Sequence, residues 1–298
     1  QELFRPTVQH SHSVSITSGS EKGSYYASLG ALVDPGWSIQ SKVNRYTALF
    51  NTSQKLFNDH ITLNIIGNAS YRQQRAPGSL ASSTNLVEGS VKRDFDINPY
   101  SYALRTSRTL DPDEFYTRNY APFNIKHELE NNYIDLSVLD TKFQAEIKAK
   151  PIKGLELSAL GSVRYQLSMT EHNIKDNSNQ AEAYRAAATK IIKNANPYLY
   201  KDPDNPTADK YTVLPQGGIL KKNDYSALSM DFRASGTYNT AIAEKHIINA
   251  FAAMEVNSLD RHASSFDGWG LQYEAGETPF YILDLFKKQL EQNTYYYS

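Results

Sequence analysis

Hydrophobic and polar residues alternate with a period of two in about eight segments of the chain. In residues 61–72, Ile61, Leu63 and Ile65 share one parity, whereas Thr62 and Asn64 share the other. Further segments with this alternation are residues 12–18, 24–34, 45–54, 142–149, 155–170, 228–239 and 246–257. Because successive side chains of a strand point to opposite faces, each segment predicts a strand with one apolar and one polar face.

The length of these strands and the spacing between them favour a transmembrane barrel. Residues 155–170 and 225–239 each alternate for about 15 residues, whereas strands of soluble proteins usually take about 5 or 6. Short turns at residues 19–23, 54–59, 151–154 and 240–244 alternate with longer links at residues 35–44, 73–140, 171–224 and after residue 259. This asymmetry is typical of barrels with short periplasmic turns and long extracellular loops. We therefore predict an all-β fold, an antiparallel transmembrane β-barrel segment with long loops at about 73–139 and 172–223.

Three local features can also be predicted from the sequence. Keeping apolar side chains on one face sets Ala149 opposite Leu155 in the hairpin at residues 151–154, and this register places Lys148 opposite Glu156. In the second long loop, apolar residues recur at helical spacing, which predicts one amphipathic helix over about residues 178–195. The tyrosines near strand ends are candidates for interfacial aromatic girdles: Tyr25, Tyr46, Tyr71, Tyr165 and Tyr238.

Composition excludes several other classes. The 298 residues carry 31 Lys and Arg against 32 Asp and Glu, so there is no electrostatic reason to expect nucleic acid as a partner. The absence of cysteine excludes a disulfide scaffold and thiolate chemistry. Mean hydropathy is -0.56, and no apolar run approaches the roughly 18 to 20 residues of a spanning helix. The opening residues 1–6 show no targeting signal, and residues 293–298 resemble the start of a further strand, which favours a fragment.

No motif of an enzyme occurs in the sequence, and we expect no catalytic residue and no cofactor. His10 with His12, and the acidic loop at residues 202–209, miss the patterns of metal sites, so no metal is expected either. Charged residues on the polar strand faces are predicted to line a wet lumen: Lys142, Glu146, Lys148, Glu156, Arg164, Asp231, Arg233 and Glu255. The densest group of aromatic and polar loop residues, suited to stacking and orienting a substrate, is Tyr100, Tyr102, Arg105, Arg108, Tyr116 and Tyr120.

Several stretches of the chain carry a resemblance to a known family. Residues 9–30, from Gln9 to Gly30, and Arg45-Tyr46 through Asn51 resemble the first barrel hairpin and the following strand of the SusC/RagA family of TonB-dependent outer-membrane transporters. The similarity continues through residues 107–109, 121–125, 128–132, 178–186 and 214–218. The order and spacing of these stretches cover essentially the whole chain and make the resemblance specific.

The resemblance implies a barrel of about 22 strands in the bacterial outer membrane, with an N-terminal plug. It also implies import of glycans or peptides with a SusD-like surface lipoprotein and with TonB, which would act through a region not present in residues 1–298. The chain is then a partial barrel, and we expect the whole protein to begin with a plug and to continue past Ser298 with roughly fourteen more strands. Two alternatives remain: a self-contained eight-stranded barrel acting as an anchor or adhesin, and a soluble all-β carbohydrate-binding module or glycosidase.

Overall fold

Eight antiparallel strands form one sheet in the computed structural model, which describes residues 3–78, 82–85, 90–93, 95, 97–107, 109–242 and 246–275. The twelve strands of the described residues are β1 (His10–Ser20), β2 (Gly23–Asp34), β3 (Lys42–Leu56), β4 (Ile61–Pro77), β5 (Ser82–Asn85), β6 (Ser90–Arg93), β7 (Tyr116–Arg118), β8 (Ala121–Phe123), β9 (Asn132–Ile152), β10 (Leu155–Ile174), β11 (Gly218–Ile242) and β12 (His246–Leu271). The main sheet has the order β1-β2-β3-β4-β9-β10-β11-β12, while β5-β6 and β7-β8 are separate hairpins. The predicted all-β antiparallel fold is therefore confirmed.

Strand pairing brings the apolar parities together on one side of the sheet. Phe50 lies opposite Gly67, Gly67 opposite Phe143, and Phe143 opposite Val163. Val163 in turn lies opposite Met230. Phe50, Phe143, Val163 and Met230 are all exposed, so this side presents a continuous apolar surface without a covering layer among the described residues. We call it the apolar face and the opposite side the polar face.

The two ends of the sheet differ in their connections. At the turn end, β1 and β2 are joined by Glu21 and Lys22, and β9 and β10 by Lys153 and Gly154. Gly154 has a φ of 88°, and a Cβ there would clash with the carbonyl of Asn239, so the tight turn requires glycine. Residues 57–60 join β3 and β4 at the same end, whereas residues 243–245 lie outside the described residues. The loop end carries the longer links 35–41, 78–131 and 175–217.

The strands extend further toward the loop end than the alternation indicates. β4 continues to Pro77 and β9 begins at Asn132, so the first long link is 78–131 instead of 73–139. The alternation stops earlier because the side chains that continue the apolar face beyond Tyr71 are charged. Arg75 and Asp135 occupy such positions and form an ion pair at 2.6 Å. Lys222 and Glu171 form an equivalent pair at 3.3 Å. These pairs end the apolar surface while the backbone ladder continues.

The predicted register of the β9–β10 hairpin is wrong by two residues. Leu155 lies opposite Ile152 and Leu157 opposite Ala149, with an irregularity between Leu155 and Leu157. Lys150 and Pro151 of β9 face the single residue Glu156 of β10, and beyond this bulge the pairing is shifted by two residues. A shift of two leaves every side chain on its predicted face, so the alternation alone does not distinguish the two registers. Consequently Glu156 reaches Lys150, at 3.8 Å, instead of Lys148.

The main buried cores lie at the loop end, in what we call the loop layer, formed by the described residues of 95–131 and by 175–217 with the segment 3–5. Its helices are α1 (Pro99–Arg105), α2 (Ile125–Asn131), α3 (Asn179–Ala183) and α4 (Lys190–Ala195), and a 3₁₀ turn (Tyr273–Ala275) follows β12. One buried cluster contains Leu3, Ile97, Phe123, Ile125 and Leu129. A second, formed by Ile174, Ala181, Leu214 and Ile219, joins the loop layer to the ends of β10 and β11. Among the described residues, none of the helices reaches the length and apolar character needed to cross a membrane.

The predicted single helix over residues 178–195 is two helices, α3 and α4. The break follows from side chains that hydrogen-bond to the backbone: Asn196 donates to the carbonyl oxygens of Ala183 and Ala186, at 2.8 and 3.0 Å. Thr189 accepts from the amide of Ile192 and so begins a new helix. The predicted apolar stripe is divided accordingly, because Ala181 is fully buried whereas Ile191 is 81% exposed.

In the described part of the chain, β1 and β12 form opposite edges of the sheet and do not pair with each other. A self-contained eight-stranded barrel requires its first and last strands to pair. The structure therefore argues against that alternative.

Candidate functional site

The charged residues predicted to line a lumen all lie on the polar face. Arg164 makes a two-pronged contact with Asp140, with Nε–Oδ1 at 3.0 Å and Nη2–Oδ2 at 2.6 Å, and Gln166 donates to the same carboxylate at 3.3 Å. Asp140 lies on β9 and Arg164 on β10, so the contact joins neighbouring strands. Lys142 is in register with Arg164 on the same face.

The other charged residues also contact their neighbours on the polar face. Glu146 accepts from the side-chain amide of Asn64 at 3.0 Å and lies 3.5 Å from Nζ of Lys148. The remaining contacts are Ser162 to Asp231 at 3.0 Å and Arg233 to Glu255 at 3.7 Å. Exposed pairs of this kind stabilise by about 1 kcal/mol at most. The arrangement is a solvent-exposed surface of balanced charge.

The polar face is not uniform, and β1 differs from β9–β12. The predicted lumen charges all lie on β9–β12, whereas the polar face of β1 presents hydroxyl groups, from Ser11, Ser13, Ser15 and Thr17. The signal for this surface in the sequence is a run of serines at every second position. An uncharged hydroxyl surface can hydrogen-bond to a neutral polar partner or to water.

The predicted loop ligands divide into residues that contact other parts of the loops and exposed residues on α1. Tyr102 and Tyr116 pack on Phe123, with ring centroids 6.4 and 5.3 Å away, and burial raises the pKa of both phenols. The hydroxyl of Tyr120 donates to the carbonyl of Ala195 at 3.2 Å, which joins the two long loops. These contacts stabilise the loop layer.

Tyr100 and Arg105 lie on α1 and are exposed, at the beginning and the end of the helix. Asn98 caps the start of α1, since its Oδ1 accepts from the amides of Tyr100 and Ser101 at 2.9 and 3.3 Å. Arg108 lies outside the described residues.

Tyr100 contacts two aromatic residues that the sequence analysis did not single out. Its ring meets Trp37 edge to face with centroids 6.3 Å apart, and Trp37 stacks on Phe4 at 4.9 Å with an interplanar angle of 12°. A cavity of about 240 Å³ opens here, lined by Phe4, Trp37, Ser38, Ser41, Pro77, Asn98, Pro99 and Tyr100. The available signal was a tryptophan directly after Pro35 and Gly36 in a link between strands. We call this cavity the Trp37 pocket.

Buried asparagines hold the loop layer together and include positions that carry the family resemblance. Nδ2 of Asn179 donates to the carbonyls of Arg118, Ala121 and Pro122 at 2.7, 3.1 and 3.0 Å. The backbone amide of Asn179 donates to Oε1 of the buried carboxylate of Glu128 at 2.7 Å. Polar side chains in the long loops are candidates for ligand contact in general, but the side chain of Asn179 hydrogen-bonds to the backbone and stabilises the loop layer.

A second buried network connects β9, β10 and α3. Nε2 of His172 donates to Oδ1 of Asn132 at 2.6 Å, and Nδ2 of Asn132 donates to Gln180 at 3.0 Å. Burial, assisted by the positive charge of Lys221, lowers the pKa of His172 to about 4. The imidazole is therefore neutral at pH 7, at the junction between the sheet and the loop layer.

In the described residues, no group of three or more His, Asp or Glu side chains is arranged to hold a metal ion. In the acidic loop, Oδ1 of Asp202 accepts from the amide of Asp204 at 2.9 Å, and Asp209 pairs with Lys193 at 3.2 Å. The rings of His10 and His12 stack with centroids 6.2 Å apart.

No protein-family model and no curated protein matches the chain. Solved structures do match. One described as "Structure of the RagAB peptide transporter" has a TM-score of 0.56 at 17% identity, over 89% of this chain and 26% of its own. The RagAB peptide importer in its open-open state gives a TM-score of 0.55 at 18% identity, over 91% and 27%. The closed-closed state gives 0.53 at 18%, over 88% and 26%.

The chain thus shares the fold of part of the chains it matches, and it spans about a quarter of their length. These neighbours are described as a peptide transporter and as a peptide importer.

Proposed function

We propose that the chain is part of the β-barrel of a bacterial outer-membrane importer of the SusC/RagA type. The sheet geometry supports this function most directly. Eight long antiparallel strands present an exposed apolar face, with turns at one end and long loops at the other. Lipid-facing surface on one side and a polar lumen on the other is the arrangement of outer-membrane barrels.

The dimensions of the apolar face are consistent with a membrane. On β4 it runs from Ile61 to Tyr71, which is ten residue steps. At about 3.4 Å per step and a tilt of about 40°, this run spans about 26 Å along the membrane normal, compared with an apolar band of about 25 Å in outer-membrane barrels. Tyr46 and Tyr71 lie opposite each other at the upper boundary, where an aromatic girdle is expected.

The proposed cargo is a glycan or a peptide, captured at the loop layer and passed through the lumen. A SusD-like surface lipoprotein would cover the loops, and TonB would supply energy through a plug in the whole protein. Support for these partners comes from the family resemblance and from neighbours described as a peptide transporter and importer. The open edges of β1 and β12 would pair with further strands, because hydrocarbon cannot satisfy exposed backbone groups.

The test is to locate the whole protein in the cell and to measure uptake. We expect it in the outer-membrane fraction, with gel mobility that changes on heating, as folded barrels show. Deleting its gene should abolish uptake of one fluorescently labelled oligosaccharide or peptide class, and dissipating the proton-motive force should have the same effect. Recovery in the soluble fraction, or uptake of both classes unchanged by deletion, would contradict the proposal.

A further inference from the structure

The Trp37 pocket has features that the proposed import function leaves unassigned. Trp37 and Tyr100 are 58% and 54% exposed, although Phe4 stacks on the indole of Trp37. An aromatic residue that needed only a core contact would bury more of its surface. Both rings lie at the loop end of the sheet, where a cargo molecule first meets the protein under the proposed function.

The pocket is built on a rigid backbone. The amide of Arg5 donates to the carbonyl of Trp37 at 2.9 Å, and the amide of Ile39 donates to the carbonyl of Leu3 at 3.1 Å. Gly36 has a φ of 69° and accommodates a tight turn closed by its hydrogen bond to Asp34 at 2.8 Å. Trp37 is therefore held in place before any ligand arrives, which lowers the entropy cost of binding.

The volume and the lining define the ligand. At about 240 Å³, the cavity is smaller than the roughly 300–1,000 Å³ of sites that enclose a drug-sized molecule, so it accepts a single ring or side chain. Its polar contributions come from Ser38, Ser41, Asn98 and Tyr100, and among the described residues no acidic or basic side chain lines it. A neutral ligand with an apolar face and hydroxyl groups at its rim matches this combination of aromatic rings and hydroxyls.

A peptide fits the pocket less well. The carbonyl of Trp37 and the amide of Ile39 are already hydrogen-bonded to residues 3–5, so a peptide cannot use them to add a strand. A charged peptide side chain or terminus would also find no counter-charge among the lining residues that the structure describes.

We infer that the Trp37 pocket is a subsite for one neutral sugar ring, which stacks on Trp37 and Tyr100 and hydrogen-bonds to the hydroxyls of Ser41 and Tyr100. The inference rests on the proposed import function and narrows its cargo to neutral glycans.

The experiment is calorimetric titration of the detergent-purified whole protein with maltohexaose, xylohexaose and mannohexaose in turn. At least one should bind, and Trp37→Ala and Tyr100→Ala should each weaken that binding by about tenfold or more, because the lost stacking is worth about 1.4 kcal/mol or more. Phe115→Ala is the matched control, since Phe115 is equally exposed in the first long loop but lies outside the pocket lining. It should leave binding unchanged.

Each other outcome overturns the subsite. These outcomes are no binding of the three sugars, binding unaffected by Trp37→Ala, or Trp37-dependent binding of an acetylated and amidated Gly-Pro-Ser repeat hexapeptide in place of sugar. Heat-modifiable gel mobility of each variant verifies that it is folded. Since outer-membrane location and uptake are measured separately, the subsite can fail while the import function stands.

Discussion

The effect of an arginine substitution on stability distinguishes a lipid-facing surface from a hydrated one. Phe50 and Asn51 are neighbours on β3, so their side chains point to opposite faces, and both are exposed. Phe50 lies opposite Gly67, near the middle of the apolar run Ile61–Tyr71 on β4. Asn51 lies on the polar face, opposite Tyr26 of β2. Phe50→Arg and Asn51→Arg therefore introduce the same side chain at the same depth on opposite faces.

The expected magnitudes differ widely. Arginine on the lipid face at the bilayer midplane costs about 2–4 kcal/mol, which corresponds to about a 30- to 900-fold change in the folding equilibrium. Arginine in a hydrated lumen costs only a few tenths of a kcal/mol, as expected for a surface substitution. The difference between the two variants isolates the contribution of lipid.

The assay is unfolding by urea of the whole protein in lipid vesicles, followed by the change in gel mobility on heating. Phe50→Arg should lower the free energy of unfolding by about 2–4 kcal/mol and reduce outer-membrane yield, whereas Asn51→Arg should stay close to the wild type. Equal effects of the two substitutions, or a larger effect of Asn51→Arg, would refute the assignment of the faces.

Three further predictions concern the loop layer and the polar face. Asn179→Ala removes a donor to three carbonyls and should destabilise the loop layer by about 2–3 kcal/mol, seen as faster proteolysis of the loops, whereas Asn177→Ala at an exposed neighbouring position should not. The folded-state pKa of His172 is about 4, below the usual 6.5, so folding favours the neutral imidazole. The loop layer should therefore keep its full stability above pH 6.5 and lose about 3 kcal/mol of it as the pH falls to 4. Hydrogen exchange in residues 175–217 measures this loss, and a His172→Gln variant with the same pH dependence would contradict it. Arg164→Ala should cost at most about 1 kcal/mol in thermal unfolding, because its pair with Asp140 is partly exposed, and a loss above 2 kcal/mol would show a larger role.

The strands could be predicted from the sequence because their signal is local. Each alternating run indicates which side of its own strand is apolar, and the order of the strands follows because strands that are consecutive in the alternation lie next to each other in the sheet. The pairing of Leu157 with Ala149 could not be predicted, since the bulge at Lys150 and Pro151 shifts the register by two residues and a shift of two keeps every side chain on its face.

The site was less predictable because it depends on contacts between distant segments. The break between α3 and α4 depends on Asn196, whose side chain reaches back to Ala183. The Trp37 pocket joins residues 3–5, 35–41 and 98–100, and nothing local to Trp37 indicates Phe4 or Tyr100 as its neighbours. Tyr102 and Tyr116 resemble ligand residues in sequence, yet they pack on Phe123.

The most direct test of a lipid-facing apolar face is a spin-label scan of β4 in outer-membrane vesicles. The 298 residues contain no cysteine, so single cysteines can be introduced one at a time from Ile61 to Arg72. We predict that collisions with oxygen peak at odd-numbered positions and collisions with a water-soluble nickel chelate peak at even-numbered ones. Nickel accessibility at both parities, or an alternation of the opposite phase, would contradict the membrane orientation on which the proposed function depends.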